Sequence, residues 1–265
     1  MFQISYINQL RQAELEAVLP EIPPATYILE IGAGSGQQAR LLQERGYQIR
    51  ALDLARSRYA KYRIFPVEEY DGTTIPCPDA SVDVVYSSHF YQYLSTSAPL
   101  TGEIRRVVKA DGYVVHVLPT ASCRFWTMLT SWPSLIEYLA IAIGQTLTKR
   151  EGRRRRWYEA LRAGYIALRQ PALSPVPHTI CELWTLRSAR WRKRFIQEGF
   201  EVVSTKPLGL FYTGCMLTGP RLSLPARRRI ARVLGSSSQL YVLRRSESAP
   251  RSPMAATACG TAPGR

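Results

Sequence analysis

Tyr27-Ile28-Leu29-Glu30-Ile31-Gly32-Ala33-Gly34-Ser35-Gly36 is an apolar strand that breaks into glycines. The nearly continuous apolar run Tyr27–Ile31 predicts a strand in the middle of a sheet, covered on both faces. Gly32, Gly34 and Gly36 permit a sharp turn and let backbone N–H groups approach a ligand with no Cβ in the way. The helix predicted over Gln37–Arg45 presents its N-terminus to the same spot, with Ala39, Leu41 and Leu42 on its buried face and Gly46 as its stop. Tyr47–Leu54 reads as a second strand with Asp53 at its carboxyl end, where an acid accepts hydrogen bonds from both hydroxyls of a ribose. The pattern is a nucleoside-binding half of a doubly wound sheet.

The glycine spacing narrows the nucleoside. A dinucleotide fold uses Gly-x-Gly-x-x-Gly, with the third glycine under a pyrophosphate. Here the spacing is Glu30-x-Gly32-x-Gly34-x-Gly36, and Gln37 stands in the place of that third glycine. A carboxylate at Glu30 would repel a pyrophosphate but favours an ammonium group. A ligand with a ribose and a cationic amine but no phosphate fits, and S-adenosylmethionine answers that description.

On these residues the chain resembles the class I S-adenosylmethionine-dependent methyltransferases, and within them the type-11 methyltransferase domains of bacteria, in detail from about Thr26 to Pro119. The resemblance implies that Glu30, Gly32, Ala33, Gly34 and Gly36 hold the methionine part of the cofactor, and that Asp53 and Leu54 hold the ribose side. Tyr70-Asp71-Gly72 is similar to the segment that contacts the adenine, which implies Asp71 and Gly72. Ile75–Val85 resembles the approach to the fourth strand, whose end carries Ser87 at the cofactor crevice. Glu103–Lys109, Ala110-Asp111-Gly112 and Tyr113–Leu118 resemble a helix, turn and fifth strand. The implied fold is α/β: a doubly wound, mostly parallel seven-stranded sheet with a helical insertion after the fifth strand. Two positions depart from the family. Gln92-Tyr93 stands where Glu-His is frequent, so no acid–base role carries over there. Asp111-Gly112 replaces a Gly-Gly pair, and a tight turn is expected because Asp tolerates a left-handed conformation.

Strand and helix alternate as far as Leu118, and then the pattern stops. The expected organisation is an N-terminal helical segment over 1–25 (a helix at about Asn8–Leu19), a cofactor-binding half over 26–119, a helical insertion or lid over 120–190, a C-terminal half over 191–245 and a disordered tail over 246–265. Within the insertion, Phe125–Leu147 is strongly apolar, and Pro133 is expected to start a helix over Ser134–Leu147. Pro171, Pro175 and Pro177 stiffen a loop that ends at His178. Beyond it, Trp184–Glu198 reads as a helix and Phe200–Ser204 as the sixth strand. Gln239–Leu243 reads as a last strand, antiparallel beside the sixth.

Net charge is +15, concentrated late in the chain at Arg153–Arg156, Arg187–Arg194 and Arg227–Arg229. Nucleic acid, an anionic membrane and a phosphorylated substrate are all compatible partners, and so is a merely solvated basic surface. The five cysteines are scattered, without a C-x-x-C pair, which speaks against both a zinc site and a disulfide framework. A reducing cytoplasm follows, with peripheral membrane contact as a second placement. Met1–Glu21 lacks the uninterrupted apolar core of a signal peptide.

Methyl transfer from a sulfonium is an in-line displacement, so the protein must align the acceptor and, for a hydroxyl, take its proton. His89, at the end of the fourth strand, and His178, on the proline-rich loop, are the candidate bases; His116 reads as a core residue. Tyr91 and Tyr93 are candidates to line an acceptor pocket. The leading function is O- or N-methylation of a small-molecule, glycan or lipid-linked acceptor. A nucleic-acid methyltransferase is one alternative, although Ser87-Ser88-His89-Phe90 lacks the Asn/Asp-Pro-Pro-aromatic segment that flanks a flipped base. A non-catalytic scaffold is another, set against the intact Glu30, glycines and Asp53.

Overall fold

The computed structural model describes residues 4–23, 26–57, 59–94, 98–148, 157–158, 161–162, 165, 179–214 and 221–246. Seven strands lie in one sheet: β1 (Tyr27–Ile31), β2 (Gln48–Leu54), β3 (Glu68–Tyr70), β4 (Val82–Ser88), β5 (Val108–Pro119), β6 (Phe200–Pro207) and β7 (Ser238–Arg245). Their order is β3-β2-β1-β4-β5-β7-β6. β1 to β5 run parallel, whereas β7 sits antiparallel between β5 and β6. The apolar run of β1 is explained by its place between β2 and β4, where Ile28, Leu29 and Ile31 are almost completely buried. The order reverses between β1 and β4. A crevice outside their carboxyl ends is where open α/β sheets bind ligands.

Helices cover both faces. α1 (Ile4–Val18) and α2 (Gln37–Gln43) close one face, with Leu15, Val18 and Leu42 packed on Ile28, Val84, Val115 and Val242. α3 (Ala98–Val107) and α6 (Ser188–Gln197) close the other, where Ile104, Trp191 and Phe195 meet Leu29, Val85 and Leu243. Three further helices are α4 (Ala121–Thr148), α5 (Thr179–Thr185) and α7 (Leu224–Leu234). No helix among the described residues is long and apolar enough to cross a membrane.

Several expectations are corrected. Pro133 does not start a helix; it lies inside the single helix α4. In the turns before it, Thr127, Thr130 and Ser131 hydroxyls donate back to the carbonyls of Cys123, Trp126 and Met128. Asp111-Gly112 is not a left-handed turn. It belongs to an irregularity of β5, whose pairing with β4 jumps from Val108 to Tyr113. Glycine is needed there for space, because a Cβ on Gly112 would stand 2.7 Å from the Asp83 carbonyl oxygen. The helix expected at Glu103–Lys109 begins earlier and ends at Val107. α7 was not anticipated, though Ser223 caps it, Pro225 lies in its first turn and Gly235 follows it. Arg227, grouped with a basic surface cluster in the sequence, is buried; it donates to the Phe211 and Leu222 carbonyls and lies over the Tyr6 ring. His178, Arg153–Arg156 and the tail after Ser246 lie outside the described residues.

Candidate functional site

A cavity of about 360 Å³ opens at the carboxyl ends of β1, β2 and β4. β1 and the loop after it supply Glu30, Gly32, Ala33 and Gly34, and β2 supplies Asp53 and Leu54. Ser88, His89 and Phe90 come from the end of β4, while Ile7, Asn8 and Arg11 reach over from α1. Tyr59, Tyr62 and Tyr93 stand half-exposed around it.

The glycine loop is pinned to the sheet. Gly32 and Ala33 N–H groups donate to the Leu52 carbonyl at 2.8 and 3.1 Å, which fixes the turn against the end of β2. Gly32 has φ +76°, and a Cβ there would come within 2.4 Å of the Phe90 ring. Gly36 also has positive φ, but its role is packing: a Cβ would meet Phe65 at 2.6 Å, and the residue does not line the cavity.

Glu30 is 2% exposed, and its Oε2 has no hydrogen-bond partner. Burial pushes its carboxyl up to about 8, against the lowering effect of a hydrogen bond from the Ala39 N–H; the nearby Asp53 raises it further. Ala39 sits in the first turn of α2, so this strand residue satisfies one of the helix's free donors. Asp53 is buried and accepts from the Leu54 N–H at 2.9 Å. Two acids thus converge in one apolar-walled cavity, an arrangement suited to a cationic and hydroxylated ligand and hostile to a phosphate. A partnerless buried carboxylate oxygen is the feature that an ammonium group would satisfy. The residues present therefore fit S-adenosylmethionine.

The remaining candidates fall elsewhere. Asp71 is exposed, and its Oδ1 accepts from the Thr73 and Thr74 N–H groups, which holds a turn. Gly72 backs Leu54: a Cβ there would lie 2.9 Å from Leu54 Cδ2. Ser87 points away from the cavity and hydrogen-bonds His116 Nδ1 at 2.7 Å; strand alternation puts Ser88 on the cavity side instead. His116 is buried against Tyr91 and Phe195, and burial, with the Arg194 guanidinium, drives its imidazole down to about 3. Tyr91 is a core residue bonded to Thr101 and Glu198, whereas Tyr93 lines the cavity.

His89 lines the cavity from a left-handed backbone, φ +54°. Its Nε2 faces Tyr212 Oη at 3.3 Å and Ser238 Oγ and Glu14 Oε2 at 3.4 Å. Burial, and then the Arg11 charge, lower its imidazole below the ordinary value, against the opposing pull of Glu14.

Sequence reasoning missed the contribution of α1. Arg11 is the one guanidinium or ammonium among the described residues lining the cavity. It is held by Glu14 and by Tyr212 Oη. Gln37 and Gln38, at the start of α2, donate to the Asn8 and Arg11 carbonyls and fasten α1 across the cavity. The glutamines were visible in the sequence as the residues after the glycine loop, but their partners lie 29 and 27 positions away.

Residues 29–116 match the family described as Methyltransferase domain. Over 101 residues the chain is 32% identical to a malonyl-[acyl-carrier protein] O-methyltransferase of Serratia marcescens, covering 35% of this chain and 38% of that protein. A protein of the same name from a Marinomonas species is 30% identical over 112 residues, 38% of this chain and 42% of its own. The chain thus spans about two fifths of the length of these curated relatives. Among solved structures, a SAM-dependent methyltransferase from Archaeoglobus fulgidus superposes over 90% of this chain and 94% of its own, with a TM-score of 0.54 at 17% identity, a likeness of fold. From sheet order, glycine loop and family match together, residues 29–116 form a class I S-adenosylmethionine-dependent methyltransferase domain.

Proposed function

We propose that this chain moves the methyl group of S-adenosylmethionine to an oxygen of a small-molecule or carrier- or lipid-linked acceptor. The observation that carries the proposal is the pairing of Glu30, buried with a partnerless oxygen, with Asp53 in one cavity. When bound, the cofactor supplies an electrophilic methyl group on a sulfonium. Glu30 is assigned to its ammonium and Asp53 to its ribose hydroxyls, with Leu54, Tyr59 and Tyr62 as the apolar surroundings. Gly32, Ala33 and Gly34 bring backbone close to it. An oxygen acceptor is favoured by the two curated relatives, both named as O-methyltransferases.

The segment Thr120–Arg190 is proposed to close over the acceptor. Its first turns are built into the body. Arg124 and Glu182, each 1% exposed, form an ion pair at 2.8 Å that ties α4 to α5. Trp126 and Ser122 donate to the Leu234 carbonyl at the end of α7.

One observation favours contact with a lipid surface as well. Phe125, Leu129, Ile136 and Ile143 recur at helical spacing along α4 and are all exposed. Such a face beside a strongly basic chain suits an anionic leaflet.

Calorimetry on the full chain with S-adenosylmethionine and with NAD tests the cofactor reading. Asp53→Ala is expected to lose at least one charge-assisted hydrogen bond, about 1.5–3 kcal/mol or ten- to hundredfold in affinity, with unchanged secondary structure. Equal affinity in wild type and variant, or preference for NAD, refutes the assignment.

A further inference from the structure

His89, Glu14, Tyr212 and Ser238 come together from four separate stretches of chain, with the Glu14 carboxylate as the acceptor they share. Glu14 is fully buried; burial alone would raise its carboxyl, but the Arg11 guanidinium and His89 hold it well below the usual range. As a carboxylate it only accepts. Tyr212 Oη donates to Glu14 Oε1 at 2.7 Å, and the Ser238 hydroxyl donates to the same oxygen. Arg11 donates to Glu14 Oε2 and to Tyr212 Oη. Tyr212 Oη and Ser238 Oγ also hydrogen-bond each other, so with the carboxylate as acceptor neither hydroxyl needs His89 to take its hydrogen. The three atoms within 3.4 Å of His89 Nε2 are then all acceptors. Facing the Glu14 carboxylate, Nε2 is the nitrogen favoured to carry the ring proton, which leaves Nδ1 with the lone pair.

The backbone serves the same placement. His89 keeps φ +54°, a conformation costly for a residue with a Cβ, and its N–H is held by the Val117 carbonyl while its own carbonyl accepts from Gln92 Nε2, each at 2.9 Å. Such strain persists where the surroundings over-determine it.

We propose that Glu14, on the N-terminal helix, is a positioning residue for His89: it fixes the neutral imidazole as the Nε2–H tautomer, so that Nδ1 accepts the proton of an acceptor hydroxyl at the cavity. This rests on the methyltransferase reading above. In the step, Nδ1 takes the hydroxyl proton as the acceptor oxygen bonds the methyl carbon. The carbon–sulfur electron pair stays with sulfur, so one positive charge passes from sulfonium to imidazolium. The imidazolium keeps its Nε2–H on Glu14, and the charged groups facing it are Glu14 and Arg11, with the neutral phenol of Tyr212. Glu14 thus plays toward His89 the part a carboxylate plays toward a catalytic imidazole elsewhere: orientation, tautomer and charge.

Ring-nitrogen NMR of the full chain, labelled at its three histidines and assigned with His89→Asn, tests the tautomer without turnover. The expected wild-type spectrum at pH 7 places the His89 proton on Nε2; a proton on Nδ1 overturns the proposal. In Glu14→Gln the imidazole pKa should fall, because a stabilising negative charge is gone while Arg11 remains. The acid limb of the pH–turnover profile should move down with it, and the plateau should fall tenfold or more. A folded Glu14→Gln variant whose limb stays in place overturns it, as does a wild-type rate that is flat through the imidazole range. If that variant does not fold, the wild-type spectrum and profile decide alone. Failure to bind S-adenosylmethionine would instead refute the methyltransferase reading, and the spectrum would still report on Glu14 and His89.

Discussion

Replacing Glu30 by glutamine separates its two effects, one on the unliganded protein and one on binding. Burial moves this carboxyl from the ordinary 4.5 to about 8. At pH 7 about nine-tenths of unliganded molecules then carry a protonated Glu30. A ligand ammonium needs the carboxylate, so binding should release close to one proton, and deprotonation costs about 1.4 kcal/mol at pH 7. Affinity of the wild type for S-adenosylhomocysteine should therefore rise about tenfold from pH 6 to pH 7. Glutamine removes the slope and the released proton. It also removes a charge-assisted hydrogen bond of about 1.5–3 kcal/mol, offset by the 1.4 kcal/mol no longer spent on deprotonation. The net loss at pH 7 is modest, at most roughly fifteenfold.

Stability moves the other way. The folded value lies above the unfolded one, so the folded chain keeps a proton that the unfolded chain gives up between about pH 4.5 and 8. Stability thus falls as pH rises through that window, by about 3 kcal/mol at pH 7. Glutamine does not titrate, and the unliganded variant should be more stable than wild type at pH 7 to 8. Calorimetry in buffers of different ionisation enthalpy counts the proton, and thermal unfolding at pH 5 and 8 reads the stability. Wild-type affinity that is flat from pH 6 to 7 with no proton released, or a variant less stable at pH 8, would refute the reasoning.

Gly32→Ala should cost about 1–3 kcal/mol of stability and abolish cofactor binding, because the new Cβ meets Phe90 at 2.4 Å in a left-handed backbone; unfolding and calorimetry together check it, and wild-type binding by the variant would contradict it. For the α4 face, the full chain should cosediment with phosphatidylglycerol vesicles and not with phosphatidylcholine vesicles. Ile136→Glu with Ile143→Glu should reduce that binding several-fold at constant salt; undiminished binding would assign the attraction to charge alone.

Much of the fold was legible because its signals are local. The run Tyr27–Ile31, the glycines and Asp53 identify two strands, a turn and a helix without reference to anything distant. The mostly parallel seven-stranded sheet followed from the resemblance, and β1, β2 and β4 appear where the alternation placed them, whereas β3 (Glu68–Tyr70) carried no signal of its own and β5 begins five residues before the expected Tyr113. Local signals also misled. Pro133 is a strong punctuation mark in sequence, yet α4 runs through it, with hydroxyls of the preceding turns bonded back to the helix carbonyls. α7 was overlooked because its arginines read as a charge cluster, while one of them, Arg227, is directed inward onto carbonyls and the Tyr6 ring.

The part of the cavity wall contributed by α1 was not legible, and the reason is physical. Arg11 and Glu14 lie three apart on a short amphipathic helix, where such a pair ordinarily reads as solvated. What makes Glu14 different is Ser238, 224 positions later, and Tyr212, 198 positions later, both hydrogen-bonded to it. A buried charge is tolerated only with its full set of partners, and those partners are assembled by the sheet, which brings the start of β7 beside the end of β5 and the residues after β4. The Arg124–Glu182 pair follows the same rule across 58 positions of the chain. Residues that bind the cofactor are adjacent in sequence because one strand–turn–helix unit makes their geometry. Residues that would act on the acceptor are scattered because the sheet has to form before they meet, and a single sequence carries that information only through its fold.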